Sequence, residues 1–183
     1  VLMVISGGCS PPTEGDPPEP AITTWNKIAP GSYTRGSPQS EPCRWENEDQ
    51  HQVTISHHLL VSSTEVTRGQ YKDILGVLPP FPPPFACKQD TCPVTFITWD
   101  DAVTYCNTLS QLSGYTPCYA CTLEGGDPTC KEREGYSGAD IIECPGYRLP
   151  TEDEWEYAYR SGTSTAYYNG ANGSCTGVDP VLD

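Results

Sequence analysis

Basic residues, long apolar runs and the well-known catalytic motifs are scarce or missing in this chain of 183 residues. Only 10 Lys and Arg stand against 24 Asp and Glu, and the net charge of −14 argues against nucleic acid or an anionic membrane surface as a partner. Beyond the first residues, no apolar run approaches the length that spans a bilayer. The sequence contains no G-x-S-x-G, H-E-x-x-H, phosphate loop, dinucleotide fingerprint or D-x-D-x-D-G calcium loop, so none of those sites is predicted.

Apolar residues are also few, at 36% of the chain, whereas 17 Gly and 19 Pro are present. This composition favours short elements joined by irregular loops over a helical bundle or a doubly wound sheet. The length suits one domain with a core of its own. We therefore predict a single loop-rich domain.

The N-terminal residues have the composition of an export signal followed by a tether. Residues 1–9, VLMVISGGC, resemble the end of an apolar signal segment with a lipobox-like Cys9, which would carry the lipid. Residues 10–24 are rich in proline and acid, as in an extended tether. Ten cysteines indicate an oxidising compartment. We therefore predict an extracytoplasmic bacterial lipoprotein of the cell envelope, whose membrane contact is the lipid anchor on Cys9.

Three capping boxes mark the starts of three short helices. In such a box a threonine hydroxyl accepts from a first-turn amide, and the side chain three residues later accepts from the threonine's own amide. Apolar spacing places Trp99 and Trp155 on the inner faces of the second and third helices. The boxes pair Thr67 with Gln70, Thr98 with Asp101, and Thr151 with Glu154.

Strand patterns are shorter and less regular. Residues 51–66, HQVTISHHLLVSSTEV, predict a strand or a pair of strands. Between Cys121 and Cys130 the sequence TLEGGDPT predicts a hairpin that turns at residues 125–127. Residues 77–85, VLPPFPPPF, predict an extended polyproline-like loop.

A cysteine-rich insert occupies residues 115–145. The spacing of its four cysteines is compatible with structural zinc or with disulfides, and the oxidising compartment favours disulfides. Nested bridges would bring both ends of the insert together and stabilise a segment with little core of its own. The predicted pairs are Cys121 with Cys130, Cys118 with Cys144 and, outside the insert, Cys87 with Cys92.

Three further cysteines take other roles. Cys106 falls on the inner face of the second helix and is predicted to be a small buried hydrophobe. Cys43 and Cys175 are left to pair with each other or with residues beyond this chain.

The histidines offer a candidate metal site that their spacing does not favour. His57 and His58 are adjacent on a predicted strand, so their side chains point to opposite faces, which is poor geometry for one ion. The full cluster would comprise His51, His57, His58, Glu41, Glu46 and Glu48.

A second candidate site consists of Glu152, Glu154 and Glu156, which could act as paired carboxylates in acid and base chemistry. All three lie in the first turns of a predicted helix, where capping and the helix dipole favour acids. We therefore predict a structural role for them.

Residues 148–162, RLPTEDEWEYAYRSG, resemble the RLPTExEWEYAARGG signature of the formylglycine-generating enzyme family, also called the sulfatase-modifying factor family. Residues 51–71 and 92–110 resemble two upstream stretches of the family in the expected order, so the resemblance covers roughly residues 25 to 170. The signature residues are Arg148, Leu149, Pro150, Thr151, Glu152, Glu154, Trp155 and Glu156.

The resemblance implies an α+β, irregular, loop-rich C-type-lectin-like fold with short strands and about three short helices, stabilised by disulfides. The domain would occupy residues 25–183. Enzymes of the family use two cysteines of their C-terminal half, with copper(I) and oxygen, to oxidise a cysteine of a protein or peptide substrate to formylglycine. Calcium sites of the family also lie in that half.

Those family positions follow GLYDMxGNVWEW-like and RGGSW-like stretches, and neither occurs in residues 162–183. We therefore predict no catalytic, cofactor-binding or metal-binding residue in this chain and a domain truncated at its C-terminus. Copper and calcium would belong to the complete family domain. The alternative is a non-catalytic, surface-tethered module that binds a protein or a glycan on the same lectin-like scaffold.

Overall fold

The computed structural model describes residues 5–7, 24–42, 44–79, 87–165 and 167–170 of the chain. The described residues form short strands, three α-helices and one 3-10 helix, joined by long loops. The predicted α+β, loop-rich fold is confirmed, with the 3-10 helix as an addition. The strands are β1 Ile5–Gly7, β2 Trp25–Ile28, β3 Gly31–Arg35, β4 His51–Ile55, β5 Leu59–Ser62, β6 Tyr119–Glu124, β7 Asp127–Glu132 and β8 Tyr147–Arg148; the helices are α1 Arg68–Leu75, α2 Trp99–Leu112, the 3-10 helix Gly138–Glu143 and α3 Glu152–Arg160.

The chain forms two compact units. The first unit comprises Val1–Ile28 and His58–Pro150, and the second comprises Ala29–His57 and Thr151–Asp183. The predicted strand region at residues 51–66 therefore supplies a strand to each unit, β4 to the second and β5 to the first. His57 and His58 lie in the connection between these strands, so their placement on a strand was wrong.

The first unit contains an antiparallel sheet in the order β2-β5-β1-β8. Strand β1 lies between β5 and β8, with Ile5 opposite Val61 on one side and Ser6 opposite Tyr147 on the other. On the other edge, β2 pairs along β5 from Trp25 to Ile28. Because β1 is the strand that hydrogen-bonds to both β5 and β8, it holds the middle of this sheet together.

Helix α2 contributes more residues to the core of the first unit than any other described element. Val103 and Cys106 are fully buried in its inner face, and Leu109 is nearly so. The ring of Tyr105 stacks on that of Tyr71 from α1, with centroids 5.7 Å apart. This packing confirms the helical period of the sequence and the buried position of Cys106.

Trp99 departs from the predicted inner face, since it is 46% exposed. It occupies the first position of α2, directly after the cap at Thr98. There its ring packs edge-on against Tyr119, with centroids 5.5 Å apart, and not within the core. The prediction failed because the partner surface at the start of this helix is a strand of the hairpin, which covers one side of the indole.

The insert contains a hairpin and the 3-10 helix, and two disulfides hold it. Strands β6 and β7 pair with Cys121 opposite Cys130, and the two-residue turn consists of Gly125 and Gly126, both with positive φ, as a tight hairpin turn requires. Asp127, predicted in the turn, begins β7. The disulfides within the described residues join the pairs named from the sequence, which are Cys87 with Cys92, Cys118 with Cys144, and Cys121 with Cys130. Cys9, Cys43, Cys175 and most of the proline segment lie outside the described residues.

In the second unit, helix α3 packs on the β3–β4 hairpin. The Tyr33 hydroxyl donates to the carbonyl of Asp153 at 2.9 Å, and the Tyr157 hydroxyl donates to the carbonyl of Ala29 at 3.2 Å. The helix approaches so closely that a Cβ at Gly31 would overlap the Tyr157 hydroxyl oxygen. A larger residue at this point of β3 would therefore displace the Tyr157 ring.

The capping box at the start of α3 is present as predicted. The Thr151 hydroxyl accepts from the amide of Glu154 at 3.2 Å, and Glu154 Oε2 accepts from the amide of Thr151 at 2.8 Å. The side chain of Glu154 is 1% exposed, and its Oε1 accepts from His57 Nε2 at 2.8 Å. Glu154, which the sequence predicted as a capping residue, is therefore also a buried polar group that bonds to His57 within the second unit.

Trp155 lies on the side of α3 opposite Tyr157 and is 40% exposed, so its predicted inward orientation is wrong. The hairpin is contacted by Tyr157, whose ring lies 5.4 Å from that of Tyr33. This contact and the burial of Glu154 fix which side of the helix faces the hairpin, and Trp155 is left towards solvent.

We expect replacement of Cys118 and Cys144 by serine to lower the free energy of unfolding by about 3 kcal/mol, because the bridge closes a long loop around the insert. Urea denaturation of the double variant measures this loss. The Cys121→Ser and Cys130→Ser pair, which opens a shorter loop, is the comparison and should lose less. An unchanged midpoint in the outer variant would contradict the prediction.

Glu154→Ala should destabilise the protein by about 2 to 3 kcal/mol, since it removes a cap acceptor and the buried partner of His57. Glu154→Gln keeps an oxygen for the Thr151 amide and should cost less. Glu152→Ala, on an 85% exposed side chain of the same helix turn, is the matched control and should cost well under about 1 kcal/mol. Equal losses at Glu152 and Glu154 would refute the assignment.

Candidate functional site

An open cleft of about 470 Å³ lies in the second unit, between the loop of residues 36–50 and the exposed side of α3. Its size falls within the usual range of small-ligand sites. The lining combines aromatic rings, carboxylates and one guanidinium. The lining residues are Gly36, Ser37, Glu41, Pro42, Trp45, Glu48, Trp155, Glu156, Tyr159, Arg160 and Tyr167.

The loop of residues 36–50 forms one wall of the cleft, and hydrogen bonds between its two ends hold it in place. The Ser37 amide donates to the carbonyl of Glu48 at 2.9 Å, and the Ser37 hydroxyl donates to Glu48 Oε2 at 2.8 Å. Arg44 Nε donates to the carbonyl of Ser37 at 3.1 Å, and the Arg44 guanidinium pairs with Asp49. Gly36 has a φ of +89°, and a Cβ there would meet the Glu48 carbonyl at 2.7 Å. Only glycine permits the two ends of the loop to approach this closely.

Arg35, at the end of β3, contacts the acids of the first turns of α3. Its Nη2 lies 2.6 Å from Glu152 Oε2, its Nη1 lies 2.8 Å from Asp153 Oδ1, and its Nε lies 3.4 Å from Glu156 Oε2. The hydrogen bond that Arg35 donates to Glu152, together with the one it donates to Asp153, raises the pKa of Arg35 above its ordinary value. Capping and the helix dipole were the predicted reasons for the acids of this helix, and a specific arginine partner is an additional one.

Tyr33 lies beside this cluster and stays neutral. Burial, followed by the charges of Glu156 and Asp153, raises its pKa to about 12. Its hydroxyl therefore remains a hydrogen-bond donor to α3 throughout the physiological pH range.

The floor of the cleft is a neutralised ion pair. Glu156 Oε1 accepts from Arg160 Nε at 2.8 Å and from the amide of Gly36 at 3.0 Å. Arg160 Nη2 donates to the carbonyl of Gly36 at 3.0 Å, and its Nη1 donates to the carbonyl of Thr165 at 3.2 Å. Both charged groups are thus occupied by partners within the unit.

Aromatic rings form the walls above this floor. Trp155 and Tyr159, one helical turn apart, stack with centroids 4.9 Å apart and an interplanar angle of 8°. Tyr168 meets Tyr159 edge-on at 5.8 Å. Across the cleft, Trp45 on the loop is 73% exposed. Large apolar rings exposed on both sides of one concavity are typical of a binding surface.

Two carboxylates of the cleft keep their charge uncompensated. Glu48 accepts from the neutral hydroxyl of Ser37, and within the described part of the chain neither Glu48 nor Glu41 has an ion-pair partner. Since Glu156 and Arg160 cancel each other, the lining side chains carry an excess of negative charge.

The family signature from the sequence is divided between the two units. Arg148, Leu149 and Pro150 belong to the first unit, where Arg148 is fully buried, and the rest of the signature begins α3 in the second. Trp155 and Glu156 line the cleft. The structure therefore gives part of the signature a place at a concave surface as well as a scaffold role.

Sequence reasoning missed Arg35, Trp45, Tyr159 and Arg160. Trp45 offered a signal, because a lone tryptophan in the acidic run EPCRWENED has no apolar pattern to bury it. Arg35 gave none, since its three acidic partners lie more than a hundred positions away in the chain.

The histidines do not assemble into a metal site. His51 Nδ1 lies 3.0 Å from the carbonyl of Asp49, whereas His57 contacts Glu154. Across the described ranges, no group of three or more His, Cys, Asp or Glu is arranged to hold a metal ion.

The described cysteines do not fit a copper(I) dithiolate site. The free thiol among them, Cys106, is fully buried, and this burial raises its pKa to about 12. The other described cysteines are joined in disulfides. None of the helices in the described part is long and apolar enough to cross a membrane.

Comparison with known proteins places these features in a family. Residues 15–181 match the sulfatase-modifying factor enzyme 1-like domain. A protein of Paenibacillus barcinonensis named chaperone protein LppX is 35% identical over 125 residues, which are 66% of this chain and 42% of that protein. The solved structure of Treponema denticola variable protein 1 is 27% identical, with a TM-score of 0.57 over 79% of this chain and 55% of that one.

The chain thus spans less than two thirds of either relative. The family match nevertheless covers nearly all of the present sequence, including the signature at α3 and both strands of the hairpin on which that helix packs. On this extent of match, the chain belongs to the sulfatase-modifying factor enzyme 1-like domain family.

Proposed function

We propose that this chain is part of an exported, lipid-anchored protein and that its second unit binds a protein or glycan ligand in the cleft between residues 36–50 and α3. The observation that carries the proposal is the exposure of Trp45 and Trp155 on opposite walls of one cleft. Exposing two indoles to water is unfavourable unless a ligand covers them.

Export is supported by the cysteine chemistry. Three disulfides in the described ranges suit an oxidising compartment, and Cys9 has a lipobox-like context. A lipid on Cys9, followed by the tether of residues 10–24, would hold the domain at the outer side of a membrane.

Binding without catalysis is supported by the state of the thiols. Thiol oxidation to formylglycine in this family needs a reactive cysteine pair with copper(I). Among the described cysteines, Cys106 is buried and protonated, and the others are joined to one another in disulfides. The relative named a chaperone protein supports a protein as the bound partner.

The second candidate function is formylglycine formation by a longer protein of which this chain is a piece. Family membership favours it. In that protein, copper and calcium would be held by residues outside this chain. Two cysteines after an RGGSW-like motif in the downstream gene sequence would support this candidate, and their absence would remove it.

For residues 1–183 alone, we expect no formylglycine on a Cys-x-Pro-x-Arg peptide incubated with copper(I) and oxygen, as read by mass spectrometry. The reason is that Cys106, the free thiol among the described cysteines, is protonated and inaccessible. Iodoacetamide at about pH 8 should leave Cys106 unmodified in the folded protein and modify it after denaturation. A copper-loaded complete enzyme of the family is the positive control. Turnover by this chain would refute the non-catalytic proposal.

For the cleft, we expect binding to at least one member of a printed glycan array or a synthetic peptide array, with Trp45→Ala weakening it at least about tenfold. Trp45 is 73% exposed, so its removal should leave the melting temperature unchanged. Phe96→Ala, a similarly exposed aromatic position in the first unit, is the matched control and should bind normally. Binding that survives Trp45→Ala and Trp155→Ala would place the ligand elsewhere.

A further inference from the structure

We propose that the cleft holds a basic side chain, lysine or arginine, presented by a segment of a partner protein. This inference rests on the proposed binding function and names the chemistry of its ligand. Three properties of the cleft lead to it, namely its aromatic walls, its uncompensated carboxylates and its shortage of free charged donors.

The aromatic walls suit the shape of a basic side chain. A lysine or arginine has an apolar stem that packs on rings and a cationic end that is attracted to the face of an indole within about 6 Å. Trp45 on the loop and the stacked pair Trp155 and Tyr159 on α3 place aromatic rings on both sides of the cleft. Stacking of Trp155 on Tyr159 also fixes the indole before a ligand arrives, which reduces the entropy lost on binding.

The carboxylates supply charge complementarity. Glu41 and Glu48 line the cleft without an ion-pair partner in the described ranges, and Glu46 adds to the negative potential of the same loop, whereas Asp49 is paired with Arg44. The chain as a whole carries a net charge of −14. An anionic ligand would be repelled, whereas a cation would be attracted before contact.

The hydrogen-bonding groups point to a ligand that donates. Arg160, the basic residue in the lining, uses its Nε, Nη1 and Nη2 within the unit, and the Ser37 hydroxyl donates to Glu48. The charged groups left for a ligand are therefore acceptors. Lysine and arginine side chains carry donors and no acceptor, so they match the free carboxylates of this lining.

The test uses the full chain and two Gly/Ser peptides that differ in one group, a central lysine in one and an acetyl-lysine in the other. Ligand-observed NMR titration follows the lysine methylene signals. We expect binding of the lysine peptide, weakened at least about tenfold by acetylation and by Trp45→Ala. An arginine peptide should bind as well, and a neutral oligosaccharide should not.

A matched pair of charge variants separates the cleft from the general acidity of the loop. Glu41→Gln removes a carboxylate that lines the cleft, whereas Glu46→Gln removes one on the same loop that does not. We expect Glu41→Gln to weaken lysine-peptide binding at least about threefold and Glu46→Gln to change it by much less. Equal effects of both variants would overturn the proposal, as would equal binding of the lysine and acetyl-lysine peptides.

The outcomes also distinguish this inference from the proposed function. Binding of a neutral oligosaccharide or acetylated peptide that depends on Trp45 would overturn the basic ligand and keep the cleft as a binding site. Absence of any array ligand that depends on Trp45 or Trp155 would overturn both. If the protein bound phosphatidylcholine vesicles and not the lysine peptide, the cation in the cleft would be a lipid headgroup, and a partner protein would be rejected as its source.

Discussion

The second unit depends on the burial of one carboxylate. Glu154 accepts from the amide of Thr151 and from His57 Nε2 while its side chain is almost completely excluded from water. A buried charged group is tolerated only where its hydrogen bonds are satisfied. The start of α3 and the end of the segment that follows β4 therefore have to meet at this oxygen pair, and the rotation of α3 is set by that meeting.

With the rotation fixed, the remaining acids of α3 take their positions. Glu152 and Asp153 face Arg35, and Glu156 turns towards Arg160 and the backbone of Gly36. The same rotation leaves Trp155 at the surface. The cleft is thus a consequence of how the helix is seated, and its aromatic wall is not an independent feature.

The sequence predicted the contacts between residues that are close in the chain and missed the contacts between residues that are far apart in it. All three threonine caps are present because the box is completed within four consecutive residues. The nested cysteines paired as expected because the hairpin turn at Gly125 and Gly126 brings Cys121 opposite Cys130. Trp99 and Trp155 were assigned to inner faces by spacing alone, and spacing does not state which surface a helix will meet. The contacts of Arg35 join residues far apart in the chain, and no local pattern records them.

Strand β1 lies within residues 1–9, which the sequence predicted to be the end of a signal segment. Residues 5–7 are paired to β5 on one side and to β8 on the other, yet they precede Cys9. A signal peptidase that cut before Cys9 would take this strand away with the leader. Under the proposed lipidation of Cys9, β5 and β8 would lose this strand and would carry unpaired backbone groups, where another strand can add.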